Sequence, residues 1–107
     1  MARSGISPRE RKARSRLAQL VHQVEFVRGG LSVRSRRCGA VNCKCIRGEP
    51  HVSLYLATSH DGRQRQVYVP AEMEDAVRLW AAHYQEIRDL LEELSRIQWD
   101  KLQRRGM

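Results

Sequence analysis

The sequence has no apolar run near the ~20 residues that span a bilayer. Its opening Met1-Ala2-Arg3-Ser4-Gly5 leads into arginines rather than the apolar stretch of a signal peptide. Neither a membrane protein nor a secreted one is expected, and the reading is cytoplasmic. Cysteine is scarce and odd in number, three residues in all. In a reducing compartment that argues against a disulfide scaffold and leaves metal ligation or free thiols. Acidic residues are nearly missing from one half of the chain. Residues 1–50 hold only Glu10, Glu25 and Glu49 against twelve Lys/Arg, a net of +9, whereas residues 51–107 carry a net of −1. No internal repeat or low-complexity tract is visible, which excludes solenoid and fibrous architectures.

What is present is enough for one small domain. A chain of 107 residues with 41% hydrophobic and 30% charged residues is charged beyond the average, yet not apolar-poor enough to stay disordered. Ten of the twelve cations in the basic half are Arg, whose planar fork suits phosphate and base edges. A basic half joined to a near-neutral half fits a polyanion-binding surface on a structural support. An anionic membrane or an acidic protein would attract the same charge.

Helical spacing dominates both ends of the chain. Ser7-Pro8-Arg9-Glu10 reads as a capping box with Pro at the first helical position. Ala13, Leu17, Leu20, Val24 and Val27 then recur at 4-3-4-3 spacing, and Gly29 is suited to end a helix. The spacing predicts a first helix over 8–28. Met73, Val77, Trp80, Tyr84, Ile87, Leu91 and Leu94 continue the same rhythm, flanked by Ala76, Leu90 and Ile97, and predict a second helix over 71–104. Two heptad stripes suggest pairing in coiled-coil fashion, antiparallel if the middle returns the chain. The longer helix would overhang its partner, leaving Trp99 and Leu102 to pack on a second copy or fray.

Between them, Val52-Ser53-Leu54-Tyr55-Leu56 and Val67-Tyr68-Val69 alternate in the strand period around the turn signal Asp61-Gly62. With those two as the loop, Leu56 faces Val67, Leu54 faces Val69 and Tyr55 faces Tyr68. Leu31-Ser32-Val33-Arg34-Ser35-Arg36 supplies a third strand that buries Leu31 and Val33. The outer face then combines Arg34, Arg36, Tyr55, Gln66 and Tyr68, rings among guanidinium groups of the kind unpaired bases stack on. A plain solvated sheet face is the competing reading.

All three cysteines fall within eight residues, in Cys38-Gly-Ala-Val-Asn-Cys43-Lys-Cys45, with His51 six positions on. Three thiolates and an imidazole are a standard set for structural zinc. Cys38, Cys43, Cys45 and His51 are the candidate Zn2+ ligands, with His60 as the other choice for the fourth. An iron–sulfur cluster, free thiols and a catalytic Cys–His pair are the alternatives, the last without a third group to orient the histidine.

The chain resembles a family of short, uncharacterised bacterial proteins with an Arg-rich first helix, a Cys-Gly-x3-Cys-x-Cys motif and a His that opens a Tyr-containing hairpin. That family also shares a Val-Tyr-Val-Pro strand end and a long Glu/Leu-rich last helix. The resemblance rests on Cys38-Gly39, Cys43, Cys45, Gly48, His51, Asp61-Gly62 and Val67-Tyr68-Val69-Pro70. It breaks after the histidine, where such proteins often read His-Gly-Pro-Tyr and this chain reads His51-Val52-Ser53-Leu54. The resemblance implies the setting of mobile elements and no particular activity.

The expected fold is therefore α+β in a single domain over 1–107. A helix at 8–28 is followed by a zinc knuckle with a small three-stranded antiparallel sheet over 31–70, then a long helix at 71–104. The expected function is non-enzymatic nucleic-acid binding, DNA or RNA, since no phosphate-cradling Gly loop or paired carboxylates suggest chemistry. The residues expected to contact nucleic acid are Arg11, Lys12, Arg14, Arg16, Arg34, Arg36, Arg37, Lys44, Tyr55 and Tyr68. The runner-up is a protein-interaction subunit, with a homodimer or partner helix formed through residues 87–102 and zinc purely structural.

Overall fold

A computed structural model of the protein describes residues 6–36 and 51–105, with Arg36 and His51 placed by their backbone alone. Its elements are α1 (Pro8–Gln23), β1 (Gly30–Arg36), β2 (His51–His60), β3 (Arg63–Val69), a 3-10 turn (Ala71–Met73) and α2 (Glu74–Arg105). The fold is α+β: in chain order, a short N-terminal helix, a three-stranded antiparallel sheet and a long C-terminal helix. The backbone clusters into two compact units, Arg28–Ala81 and Met1–Val27 with Ala82–Met107.

In the first unit the sheet order is β1-β2-β3. Asp61 and Gly62 both take positive φ, 52° and 75°, the two-residue turn whose twist matches its flanking strands. The turn fixes the register at Leu54↔Val69, Tyr55↔Tyr68 and Leu56↔Val67, as the alternation predicts. On the other side Leu31 faces Leu56 and Val33 faces Leu54. Leu54, Val69 and Val77 form the buried core, packed by Leu31, Leu56, Met73 and Trp80. The aliphatic face of the sheet thus closes on the first two turns of α2. Val33 departs from expectation, since it lies on the edge strand and is 58% exposed among the described residues. Gly29 is needed where it stands, because a Cβ there would meet the Leu56 side chain at 2.8 Å and the Ala57 carbonyl oxygen at 3.0 Å.

In the second unit α1 starts as its cap dictates. Ser7 Oγ accepts the Glu10 backbone N–H at 3.1 Å, and Pro8 occupies the first turn. The reciprocal half of the capping box does not form, because the Glu10 carboxylate turns toward α2. It accepts hydrogen bonds from Lys101 Nζ at 3.1 Å, Gln98 Nε2 at 3.3 Å and Arg14 Nε at 3.0 Å, and only 2% of the residue is exposed. The helix also ends at Gln23 rather than at 28, with Val24 extended. Beyond it Phe26 sets its ring 6.4 Å from that of Tyr84, and His83 Nδ1 donates to the Glu25 carbonyl at 2.9 Å. Those contacts hold the chain after Gln23 against α2 outside the helix, with β-branched Val24 in the extended conformation it favours.

Ion pairs tie α1 to the rest of α2 in antiparallel sense, Arg9 to Glu93 at 2.8 Å and Arg16 to Glu86 at 2.7 Å. Ala13 and Leu20 on α1 and Ile87 and Ile97 on α2 are buried. Leu90 and Leu94 are half-buried, whereas Leu91, placed in the seam by strict heptad spacing, is 51% exposed. Trp99 and Leu102 are exposed as well.

Candidate functional site

Alternation along the strands turns one set of side chains away from the core. On that outer face the register aligns Ser32, Tyr55 and Tyr68 in one row, with Arg34 and Gln66 in the rows on either side. Arg34 lies over the ring of Tyr55, its guanidinium carbon 4.5 Å from the ring centroid. The same guanidinium donates through Nη2 to the Gln66 Oε1 oxygen. Tyr68 meets Tyr55 edge-on, with centroids 5.8 Å apart and planes at 68°. The cation is therefore held by an aromatic face and a side-chain amide, a pre-organised arrangement with N–H groups to spare. Tyr68 is 52% exposed and offers a ring to solvent. Ser32, Ser53 and Ala57 are small neighbours in the same face, which leaves the aromatic groups standing clear.

Charge on the sheet is of one sign. The three strands contain Arg34, Arg36, Arg63 and Arg65 and no Asp or Glu, and the turn between β2 and β3 adds the carboxylate of Asp61. Arg36 is placed by its backbone opposite His51. Arg37 and Lys44 lie outside the described residues, as do Cys38, Cys43 and Cys45. Among the described residues no group of three His, Cys, Asp or Glu comes together that could hold a metal ion. His60 stands exposed at the end of β2, its Nε2 3.5 Å from the Asp61 carboxylate.

The α1 cations divide into two kinds. Arg16 grips Glu86 with two nitrogens, Nε at 2.7 Å and Nη2 at 3.1 Å, and reaches Gln19 with the third at 3.1 Å. This fork raises the Arg16 pKa and lowers that of Glu86. Arg14 is bound to Glu10, whose carboxyl is held below its usual range first by Lys101 and then by Arg14. Arg11 and Lys12 are exposed and have no ion-pair partner among the described residues. They line a shallow groove with Pro8, Ser15 and Gln19 on the surface of α1.

Arg28, Arg63 and Arg65 form a basic set that the sequence reading passed over. Arg28 Nη2 donates to the Ser59 carbonyl at 2.7 Å, while Arg63 and Arg65 are exposed near the end of the hairpin. The repeated Arg-Gln of residues 63–66 was the available signal, two like charges on one side of a strand.

A family profile described as a domain of unknown function (DUF6788) matches residues 6–79. No curated protein matches the chain. No solved structure matches it.

Proposed function

We propose, for a chain that belongs to the DUF6788 family, that it is a small, basic, zinc-stabilised module that binds nucleic acid and performs no catalysis. One observation carries this reading: the acid-free outer sheet face where Arg34, Tyr55, Gln66 and Tyr68 meet. An exposed tyrosine ring is a platform for an unpaired base, and a guanidinium fixed beside it can take the adjoining phosphate. Arg11 and Lys12 supply further phosphate contacts from α1. Arg14 and Arg16, engaged with Glu10 and Glu86, serve chiefly to join the helices. The net charge of +8 favours polyanions over neutral partners.

Zinc is held by Cys38, Cys43, Cys45 and His51 in this reading, in a cytoplasmic setting that keeps the thiols reduced. Chain reach favours His51 over His60. Arg36 pairs with His51, and Cys38 follows Arg36 by only two residues in the sequence. His60 lies nine residues along β2, ~30 Å away at the usual strand rise.

Titration of labelled single-stranded DNA and RNA at several salt concentrations tests the binding face. Tyr55→Ala/Tyr68→Ala should cost ~1–3 kcal/mol for each unstacked base. Arg34→Ala should instead reduce the salt slope by about one unit. No binding by the wild type at ~50 mM salt, where phosphate attraction is strong, would overturn the reading.

A second reading rests on Leu91, Trp99 and Leu102, apolar side chains exposed along α2. They suit a partner helix or a second copy of the chain, and they predict a molecular mass in solution above that of the monomer.

A further inference from the structure

We infer that the free end of the β2–β3 hairpin is a ribbon that enters the major groove of duplex DNA. The inference rests on the nucleic-acid reading above but not on its stacking face, from which it differs in both residues and ligand. Pairing of β1 stops at Gly30↔Ala57. The hairpin continues as two strands through Thr58↔Arg65, Ser59↔Gln64 and His60↔Arg63 to the Asp61-Gly62 turn. Three residue steps at the antiparallel rise carry this ribbon ~10 Å beyond the three-stranded sheet.

Those dimensions suit one groove. The major groove of B-form DNA is about 12 Å wide and about 8.5 Å deep, and it admits a two-stranded ribbon. The A-form major groove of duplex RNA is too narrow and deep for side chains to read. The chemistry agrees with the size. Arg63 and Arg65 point to one side of the ribbon, both exposed and without an ion-pair partner among the described residues. Arg28, bound to the Ser59 carbonyl midway along the ribbon, adds a third positive charge. Gln64 on the opposite side has the amide that pairs bidentately with adenine, and Arg65 the fork that fits guanine. Within residues 58–65 the one carboxylate, Asp61, is 3.5 Å from His60 Nε2 and sits at the tip, where cytosine offers a donor. Arg63 and Arg28 contact the phosphates flanking the groove.

The test compares duplex DNA, duplex RNA of the same sequence and single-stranded DNA, each titrated against the full chain at several salt concentrations. Arg63→Ala/Arg65→Ala should lower duplex-DNA affinity by about tenfold or more and the salt slope by up to about two units, with single-strand affinity little changed. Arg78→Ala/Arg88→Ala removes the same charge from exposed positions on α2 and should leave duplex binding nearly intact. Arg63→Lys/Arg65→Lys keeps the charge and should recover the salt slope but not the affinity of a preferred sequence. An unchanged melting temperature for the alanine variant shows that the fold is retained. Equal affinity of wild type and alanine variant for duplex DNA overturns the inference, as does an equal loss on single strands. Wild-type binding to single strands alone overturns it too, and leaves the stacking reading standing. Absence of binding to every nucleic acid overturns both.

Discussion

Glu10 has the most to lose from a change of pH. Its carboxylate is buried under Lys101, Gln98 and Arg14, and the two cations, Lys101 first and then Arg14, hold its pKa below the ordinary 4.5. A group whose pKa falls on folding binds fewer protons in the native state than in the unfolded one. Its contribution is complete above pH 4.5 and is lost as pH falls from there through the lowered native value. Melting temperature followed from about pH 6 to about pH 3 should drop more steeply for the wild type than for Glu10→Gln. At neutral pH the variant should melt several degrees lower, and superimposable curves would remove Glu10 from the account. The sequence made Glu10 look like half of a capping box, because Ser7 and Glu10 are three apart. The partners that claim it are 88 and 91 residues away, beyond any local pattern. Tyr55, Tyr68, Arg34 and Gln66 were legible for the opposite reason. The Asp61-Gly62 turn fixes the register, and register decides which side chains share a face.

Among the elements, α2 shows where a strict heptad fails. Extending the 3.5-residue rhythm from Met73 places Leu91 beside the first helix. Met73, Val77 and Trp80 pack on the sheet, whereas Ile87 and Ile97 are buried in the unit that contains α1, so a different neighbour sets the inward side of the later turns, which falls on Ile87, Leu90, Leu94 and Ile97. Ile97→Asp should therefore cost on the order of 3 kcal/mol in urea unfolding, by burying an unpaired charge. Leu91→Asp should change monomer stability by no more than about 0.5 kcal/mol. If Leu91→Asp destabilises as much as Ile97→Asp, the inward side has been misassigned. If it lowers the mass in solution while stability holds, the exposed stripe is an association surface. The early end of α1 was illegible for a related reason. Val24 and Val27 keep the helical spacing, but Phe26 and the Glu25 carbonyl are drawn to Tyr84 and His83, which no local window contains.

At the scale of the whole molecule, the proposed zinc site joins sequence to stability. Ligands that converge only in the folded chain make metal affinity part of the folding free energy. Elemental analysis should find one zinc per chain, and chelation should lower the melting temperature. His51→Ala should release the metal and His60→Ala should retain it. Protein without stoichiometric metal would reject the site. The same stretch of chain bears on how the sheet is put together. The β2–β3 closure spans two residues, whereas Arg36↔His51 closes fourteen. By the logarithmic cost of loop closure, the second exceeds the first by about 1.7 kcal/mol of entropy. A metal gripped inside those fourteen residues shortens the effective loop and relieves part of that cost. The β2–β3 hairpin, which sets Tyr55 beside Tyr68, is thus the cheaper of the two closures. Arg34 comes from the strand whose closure costs more, so whatever opens the 36–51 connection takes the guanidinium from Tyr55 while leaving the two rings together.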